Sequence, residues 1–325
     1  MKLPRRKFLN LALGAAALPA ISRIAWAQSY PSRPARIIVG QAAASGADFI
    51  ARLLAQRLSE RLGQPFIVEN HPGAAGNIAT DVVARAPADG YTFLVVSQSN
   101  TINATLYDKL NFDFVRDITP VASFFRASLV MEVNPSVPVK TVPEFIAYAK
   151  ARPGKVNMAS AGIGSVQHIA GELFEFMTGV DLFHVPYRGS PPALTALLAG
   201  QVQVMFDTTL TAIPHIRAGR VRPLAVTTAT RVAALPDIPV LGDFVPGYEA
   251  VAWLGFGAPK DTPPAIVDML NQEINTALAD PKIVARITAL GATVFTSSPN
   301  EFKKLIDDET VKWGKVIRAA GIKPG

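Results

Sequence analysis

Two stretches of small residues carry the clearest chemical signal in this sequence. The first, Gly40-Gln41-Ala42-Ala43-Ala44-Ser45-Gly46-Ala47, follows the apolar run Ile37-Ile38-Val39 and ends at Asp48. The second, Ala161-Gly162-Ile163-Gly164-Ser165, follows an apolar segment at 156–160 and precedes His168. Loops without bulk let the backbone approach a ligand closely. Where such a loop opens a helix, free N–H groups and the positive end of the helix dipole form an anion site that needs no arginine. Tight packing of a plain strand–loop–helix unit is the competing explanation, since parallel sheets contain many such loops. A polar run holding Ser97, Ser99 and Asn100 ends a third apolar segment, and Asp207 ends another. These side chains suit ligand contacts, and they suit helix caps and turns equally well.

Other chemistries find little support. Four histidines, His71, His168, His184 and His215, show no metal-ligand spacing, and the chain has no cysteine. Neither GxSxG nor GxxxxGK[ST] occurs. Ser165 and His168 stand one helical turn apart, as a nucleophile and base could, but no third orienting group is identifiable. Asp48 and Asp207 could be paired catalytic carboxylates; the alternative is that Asp48 caps its helix and Asp207 orients cleft backbone. Gly162-x-Gly164 lacks the third glycine and the downstream acid of a dinucleotide site. No cofactor and no metal are expected.

The elements that must position these residues alternate between strand and helix. Ile50, Leu53, Leu54, Leu58 and Leu62 form one face of a helix that Gly63 closes. Strands are expected at 65–70 and 91–96, with a helix at 77–86 between them, which is the doubly wound α/β rhythm. Residues 102–127 read as less regular, and 129–133 as a strand. The prolines of Asn134-Pro135-Ser136-Val137-Pro138 suit a segment crossing between lobes. The rhythm then restarts: a capping box at Thr141-Val142-Pro143-Glu144, a strand at 156–160, a helix at 166–178, and strands at 181–185, 202–206 and 222–227. A strand at 251–257 returns to the first lobe. Three helices follow, the last opened by Ser298-Pro299-Asn300-Glu301. The strand–small loop–helix device thus occurs twice, and two such loops facing each other would grip a small ligand. The expected fold is α/β and two-lobed, with 28–128 and 251–325 in one lobe, 129–250 in the other, and the cleft between them.

The chain has 325 residues, 49% hydrophobic and 18% charged, which describes a well-packed globular protein. Residues 1–27 form a basic start, an apolar run from Phe8 to Ile21 and a closing Ala25-Trp26-Ala27, the pattern of an export signal. Arg5-Arg6-Lys7-Phe8-Leu9 fits a twin-arginine signal, an ordinary secretion signal being the alternative. Cleavage near Ala27 would deliver the chain to the periplasm. The run is too short for a membrane anchor and Pro19 interrupts it. Of the net charge of +7, five come from Lys2, Arg5, Arg6, Lys7 and Arg23, leaving +2 for the rest. That removes the electrostatic case for a nucleic-acid partner.

From Tyr30 onward the chain resembles the Bug-type receptors, the extracytoplasmic solute-binding proteins of tripartite tricarboxylate transporters. The resemblance rests on Tyr30-Pro31-Ser32-Arg33-Pro34, residues 48–63, Val68-Glu69-Asn70-His71-Pro72-Gly73-Ala74-Ala75-Gly76-Asn77 and Ala88-Asp89-Gly90-Tyr91. It continues through 160–165 with His168, His184-Val185-Pro186-Tyr187-Arg188-Gly189, Phe206-Asp207, Pro246-Gly247-Tyr248-Glu249 and Trp313-Gly314-Lys315-Val316. It implies a flytrap receptor that holds a carboxylate between its two loops, here 41–48 and 162–168, and delivers it to membrane permease subunits. A monomer is the default for such a receptor. The resemblance brings Tyr187 into the candidate site and implies that the protein is not an enzyme. A sensor that signals to a membrane kinase, and an exported α/β hydrolase-like enzyme, are the alternatives. The chain departs from the family at Gly40, Gln41, Ala44 and Ser45, where proline, an aromatic and a glycine pair are usual. Gln41 therefore puts a polar side chain where an aromatic wall is common.

Overall fold

The computed structural model describes residues 30–289 and 291–323. The export signal read at 1–27 lies outside the described residues. Among these, the strands are β1 (Ala35–Val39), β2 (Phe66–Asn70), β3 (Thr92–Ser97), β4 (Ile118–Val133), β5 (Val156–Ser160), β6 (Leu182–Pro186), β7 (Val204–Thr208), β8 (Arg222–Val226), β9 (Val251–Pro259) and β10 (Ala292–Val294). They follow one hydrogen-bonded path, β2-β1-β3-β9-β4-β7-β5-β6, with β8 and β10 also pairing β4.

Two strand groups share β4. In the first, β1 pairs parallel with β2 and β3, and β3 pairs antiparallel with β9. In the second, β5 pairs parallel with β6 and β7. Residues Ile118 to Ser128 of β4 pair with β9, whereas Leu129 to Val133 pair with β7. A single strand therefore stitches the groups together. The structure corrects the sequence expectation here in two ways. Most of residues 102–127 is regular: a helix covers Gln98–Leu106, a short one Phe114–Asp117, and β4 starts at Ile118, with only 107–113 lying outside helix and strand. The chain has also already crossed between the groups before Asn134, so 134–138 is not the crossing segment. In β4 only Arg126 is exposed, so the strand lacks the alternation that marks a half-buried strand. Register shifts at Pro120/Ala122 and Ser123/Phe125 further blur its period.

The helices follow the sequence closely. Helix Gly46–Leu62 buries Ile50, Leu53, Leu54 and Leu58 and ends at Gly63, whose φ of 69° is the left-handed C-cap. Each such aliphatic contributes about 1.5–3 kcal/mol by burial. Helix Pro299–Ala320 has the expected capping box: Glu301 N–H donates to Ser298 Oγ at 3.2 Å and Ser298 N–H to Glu301 Oε2 at 2.8 Å. One apolar cluster runs through both groups, from Ile37 and Leu54 to Phe174 and Phe206. No helix of the described residues is long and apolar enough to cross a membrane.

Candidate functional site

A cavity of about 280 Å³ opens where the two groups meet. From the first loop Gln41, Ala42 and Ser45 line it, from the second Gly162 and Ser165. Ser97, Ser99 and Tyr187 also line it. Ala43, Ala44, Asp48, Asn100, Gly164, His168 and Asp207 are not part of that wall.

The two loops are built on one plan. Ser45 caps helix Gly46–Leu62 by accepting from Asp48 N–H at 3.3 Å, and Ser165 caps helix Val166–Thr178 by accepting from His168 N–H at 3.2 Å. In both, the residue before the cap donates its N–H to the side chain of the third helical residue: Ala44 to Asp48 Oδ2 at 3.0 Å, Gly164 to His168 Nδ1 at 3.2 Å. This return bond bends the backbone into the left-handed region, φ 62° at Ala44 and 80° at Gly164. Glycine adopts that conformation freely, whereas alanine pays about 1 kcal/mol. Ala44→Gly is accordingly expected to raise stability by about 1 kcal/mol, read by urea denaturation. Unchanged or lowered stability would show that Ala44 is unstrained.

Helix starts surround the cavity. Besides Ser45 and Ser165, the wall includes Ser97, Gly189 and Thr208, the caps of helices Gln98–Leu106, Ser190–Leu198 and Thr209–Arg217. Five dipoles thus point their positive ends at one space. The lining includes the cation Arg188 and no aspartate or glutamate. This arrangement stabilises an anion through backbone N–H groups and hydroxyls.

Several wall residues escaped the sequence reading. Gln98 is one of them, although it sits between Ser97 and Ser99 in the polar run, the one signal that could have found it. Pro72 to Ala75 also line the cavity. They belong to a small-residue loop after a strand, the same signal that marked the other two. Its four residues Gly73, Ala74, Ala75 and Gly76 all have positive φ (131°, 45°, 49° and 95°), a left-handed run that two alanines would not announce. Trp253 on β9 supplies a flat apolar wall.

Residues behind the wall hold it in place. Asp48 accepts from Arg52 and Asn70 as well as Ala44. Burial alone would raise its pKa, but these bonds outweigh burial and hold it below the ordinary value. Asn100 Oδ1 accepts from Ser97 N–H at 2.8 Å, the capping role. His168 Nδ1 is an acceptor, so the ring proton lies on Nε2, 3.3 Å from Glu172. Its ring stacks on His184 at 4.1 Å. Burial, then the neighbouring His168, push His184 down to about 4. The Ser165 hydroxyl meets the backbone of His168 and not its ring, so the pair does not form a nucleophile–base contact.

Asp207 is fully buried beside Glu132 on β4, not beside Asp48. Burial raises Asp207 to about 6 against the bonds donated by Thr211 and Thr208, and lifts Glu132 well above its ordinary value. A raised folded-state pKa means that the folded chain binds the proton more tightly. The associated stability is complete below the unfolded value of 3.8 and is lost as pH rises through about 6. Asp207→Asn removes this dependence. The stability difference, variant minus wild type, is expected to rise by on the order of 2 kcal/mol between acidic and mildly alkaline pH. A difference that stays flat across that window would contradict the assignment.

Comparison with known proteins agrees with this geometry. Residues 50–322 match the family model described as the tripartite tricarboxylate transporter family receptor. Protein BugT of Bordetella pertussis is 36% identical over 300 residues, spanning 91% of this chain and 92% of that protein. An R. palustris protein solved with adipate shares 37% identity with a TM-score of 0.88, covering 91% of this chain and all of that one. MatC from Rhodopseudomonas palustris, solved with bound malate, shares 33% identity with a TM-score of 0.85, covering 89% of this chain and all of that one. The fold is thus the two-lobed α/β architecture of periplasmic solute-binding proteins, and the chain belongs to the tripartite tricarboxylate transporter receptor family.

Proposed function

We propose that this receptor captures one small carboxylate-containing solute in its cavity, closes residues 28–128 with 251–325 against residues 129–250, and delivers the solute to transporter permease subunits. It acts as a monomer in the periplasm after export on a twin-arginine signal cleaved near Ala27, and it releases the solute chemically unaltered. Ser45, Ser99, Gly162, Ser165 and Tyr187 make the contacts, while Ser97, whose hydroxyl donates to Asn100, holds its helix start in place. Asp48, Asn100, Gly164, His168 and Asp207 fix the loops that present them.

The observation that carries this reading is the convergence of five helix N-termini on a cavity without a lining carboxylate. The adipate and malate held by structural relatives support the solute class. A small acid suits the size of the cavity. The test is native mass spectrometry of the purified protein with mono-, di- and tricarboxylates. One acid per chain, recovered unchanged after denaturation, is the expected result. Recovery of a chemically altered compound, or binding of neutral solutes alone, would overturn it.

A further inference from the structure

Two polar chains end on cavity-lining glutamines, at amide oxygens that no protein group reaches. Thr80 Oγ1 donates to Gly76 O at 2.9 Å, so its oxygen is left to accept from Asn100 Nδ2 at 2.8 Å. That fixes the Asn100 amide, whose Oδ1 accepts from the Ser97 hydroxyl at 3.2 Å. With its proton committed, Ser97 Oγ accepts from Gln41 Nε2 at 3.4 Å. The direction of every bond is set by the one before it, and the chain terminates at Gln41 Oε1, which is buried and unpartnered. In the second chain Gln98 Nε2 donates to Glu309 Oε2 at 3.0 Å. Only the nitrogen of an amide can donate to a carboxylate, so Gln98 Oε1 must be the remaining group. It too is buried and unpartnered, on a side chain only 1% exposed.

Buried acceptors in folded proteins are almost always satisfied. Both glutamines line the cavity, and because their oxygens have no open surface in this conformation, a donor on a solute meets them once the side chains turn toward it. We propose that Gln41 and Gln98 are specificity-determining residues that accept hydrogen bonds from an O–H or N–H group on the solute. The solute class is a small carboxylate that also carries a hydroxyl, amine or amide donor. This rests on the carboxylate reading above and narrows it. The helix starts hold the carboxylate, and a second bare carboxylate against the glutamine oxygens would set acceptor against acceptor. A solute lacking the donor leaves both oxygens desolvated and unpaired.

The test is isothermal titration of the purified protein with matched acids that differ only in a donor. Suitable sets are butanedioate against 2-hydroxy- and 2-aminobutanedioate, hexanedioate against 3-hydroxyhexanedioate, and benzoate against 4-hydroxybenzoate. In at least one set the donor-bearing acid is expected to bind about tenfold or more tightly. Gln98→Met, and separately Gln41→Met on its loop, are expected to shrink that preference to about threefold or less by weakening the donor-bearing acid. Equal affinity within every set that binds would overturn the inference while leaving the carboxylate reading intact, because the oxygens then play no part in selection. A preference that survives both substitutions would also overturn it. Failure of every acid to bind would remove both readings together.

Discussion

Gly164→Ala is expected to weaken solute binding about thirtyfold while the protein still folds. A Cβ on Gly164 would fall deep inside van der Waals contact of Asn103 Oδ1 and 3.2 Å from Leu106 Cδ2, both on helix Gln98–Leu106. Asn103 has little freedom to retreat, because its Nδ2 donates to Ala75 O at 3.2 Å and Asn77 Oδ1 at 3.0 Å. Gly164 belongs to the loop after β5 and Asn103 to the helix after β3, so the collision lies where the two strand groups approach across the cavity. Overpacking that opposes this approach costs about 2 kcal/mol, which is about thirtyfold in a dissociation constant, while the left-handed strain lowers folding stability alone. Gly179→Ala is the control. Gly179 has a φ of 67°, but nothing lies within 4 Å of its added Cβ. That variant is expected to lose about 1 kcal/mol of stability with its affinity unchanged. Titration calorimetry on both variants reads the difference, and equal affinities would show that the approach of loop to helix does not matter for binding.

Glu309→Ala is expected to cost about 3 kcal/mol of folding stability. Its Oε2 accepts from Trp313 Nε1 at 2.8 Å, Gln98 Nε2 at 3.0 Å and Trp253 Nε1 at 3.3 Å. All three donors sit on side chains at most 2% exposed. Removing the carboxylate strands them, and each buried unsatisfied donor costs about 1–3 kcal/mol. The 15% exposure of the Glu309 side chain lets water recover part of this, which places the total near the lower end of the sum. Because Gln98 and Trp253 line the cavity, affinity should fall as well. Glu309→Gln keeps an acceptor at the same place and should cost about 1 kcal/mol. Urea denaturation distinguishes the two; equal losses in Ala and Gln would mean that packing, not hydrogen bonding, is what Glu309 supplies.

The sequence made the two main loops legible because their signal is local. Small residues ahead of Ser45-x-x-Asp48 and Ser165-x-x-His168 define a cap and a return bond within a few residues. The terminal helices were equally legible, since Ser298 and Glu301 sit in capping register and Trp313 shares the apolar face. What escaped depends on long-range burial. β4 is covered on both faces, so no period separates it from a buried helix. β10 is three residues long and exists because Ala292 and Val294 pair with Ala127 and Phe125 of β4. The left-handed run at Gly73 to Gly76 is imposed by its surroundings, because alanine alone does not favour it. Gln98 was hidden by its neighbours: Ser97 and Ser99 drew the functional reading, while the residue between them is oriented by Glu309, over two hundred positions away.

The central claim is that helix dipoles and backbone N–H groups select a negative charge. The most direct measurement is a thermal-shift comparison of small carboxylic acids with their primary amides and methyl esters, which keep the shape and remove the charge. An acid at a hundred times its dissociation constant should stabilise the protein by about 2.7 kcal/mol, with the neutral analogue well behind it. An amide or ester that stabilises as much as its parent acid would contradict the account, because the cavity would then be reading shape alone.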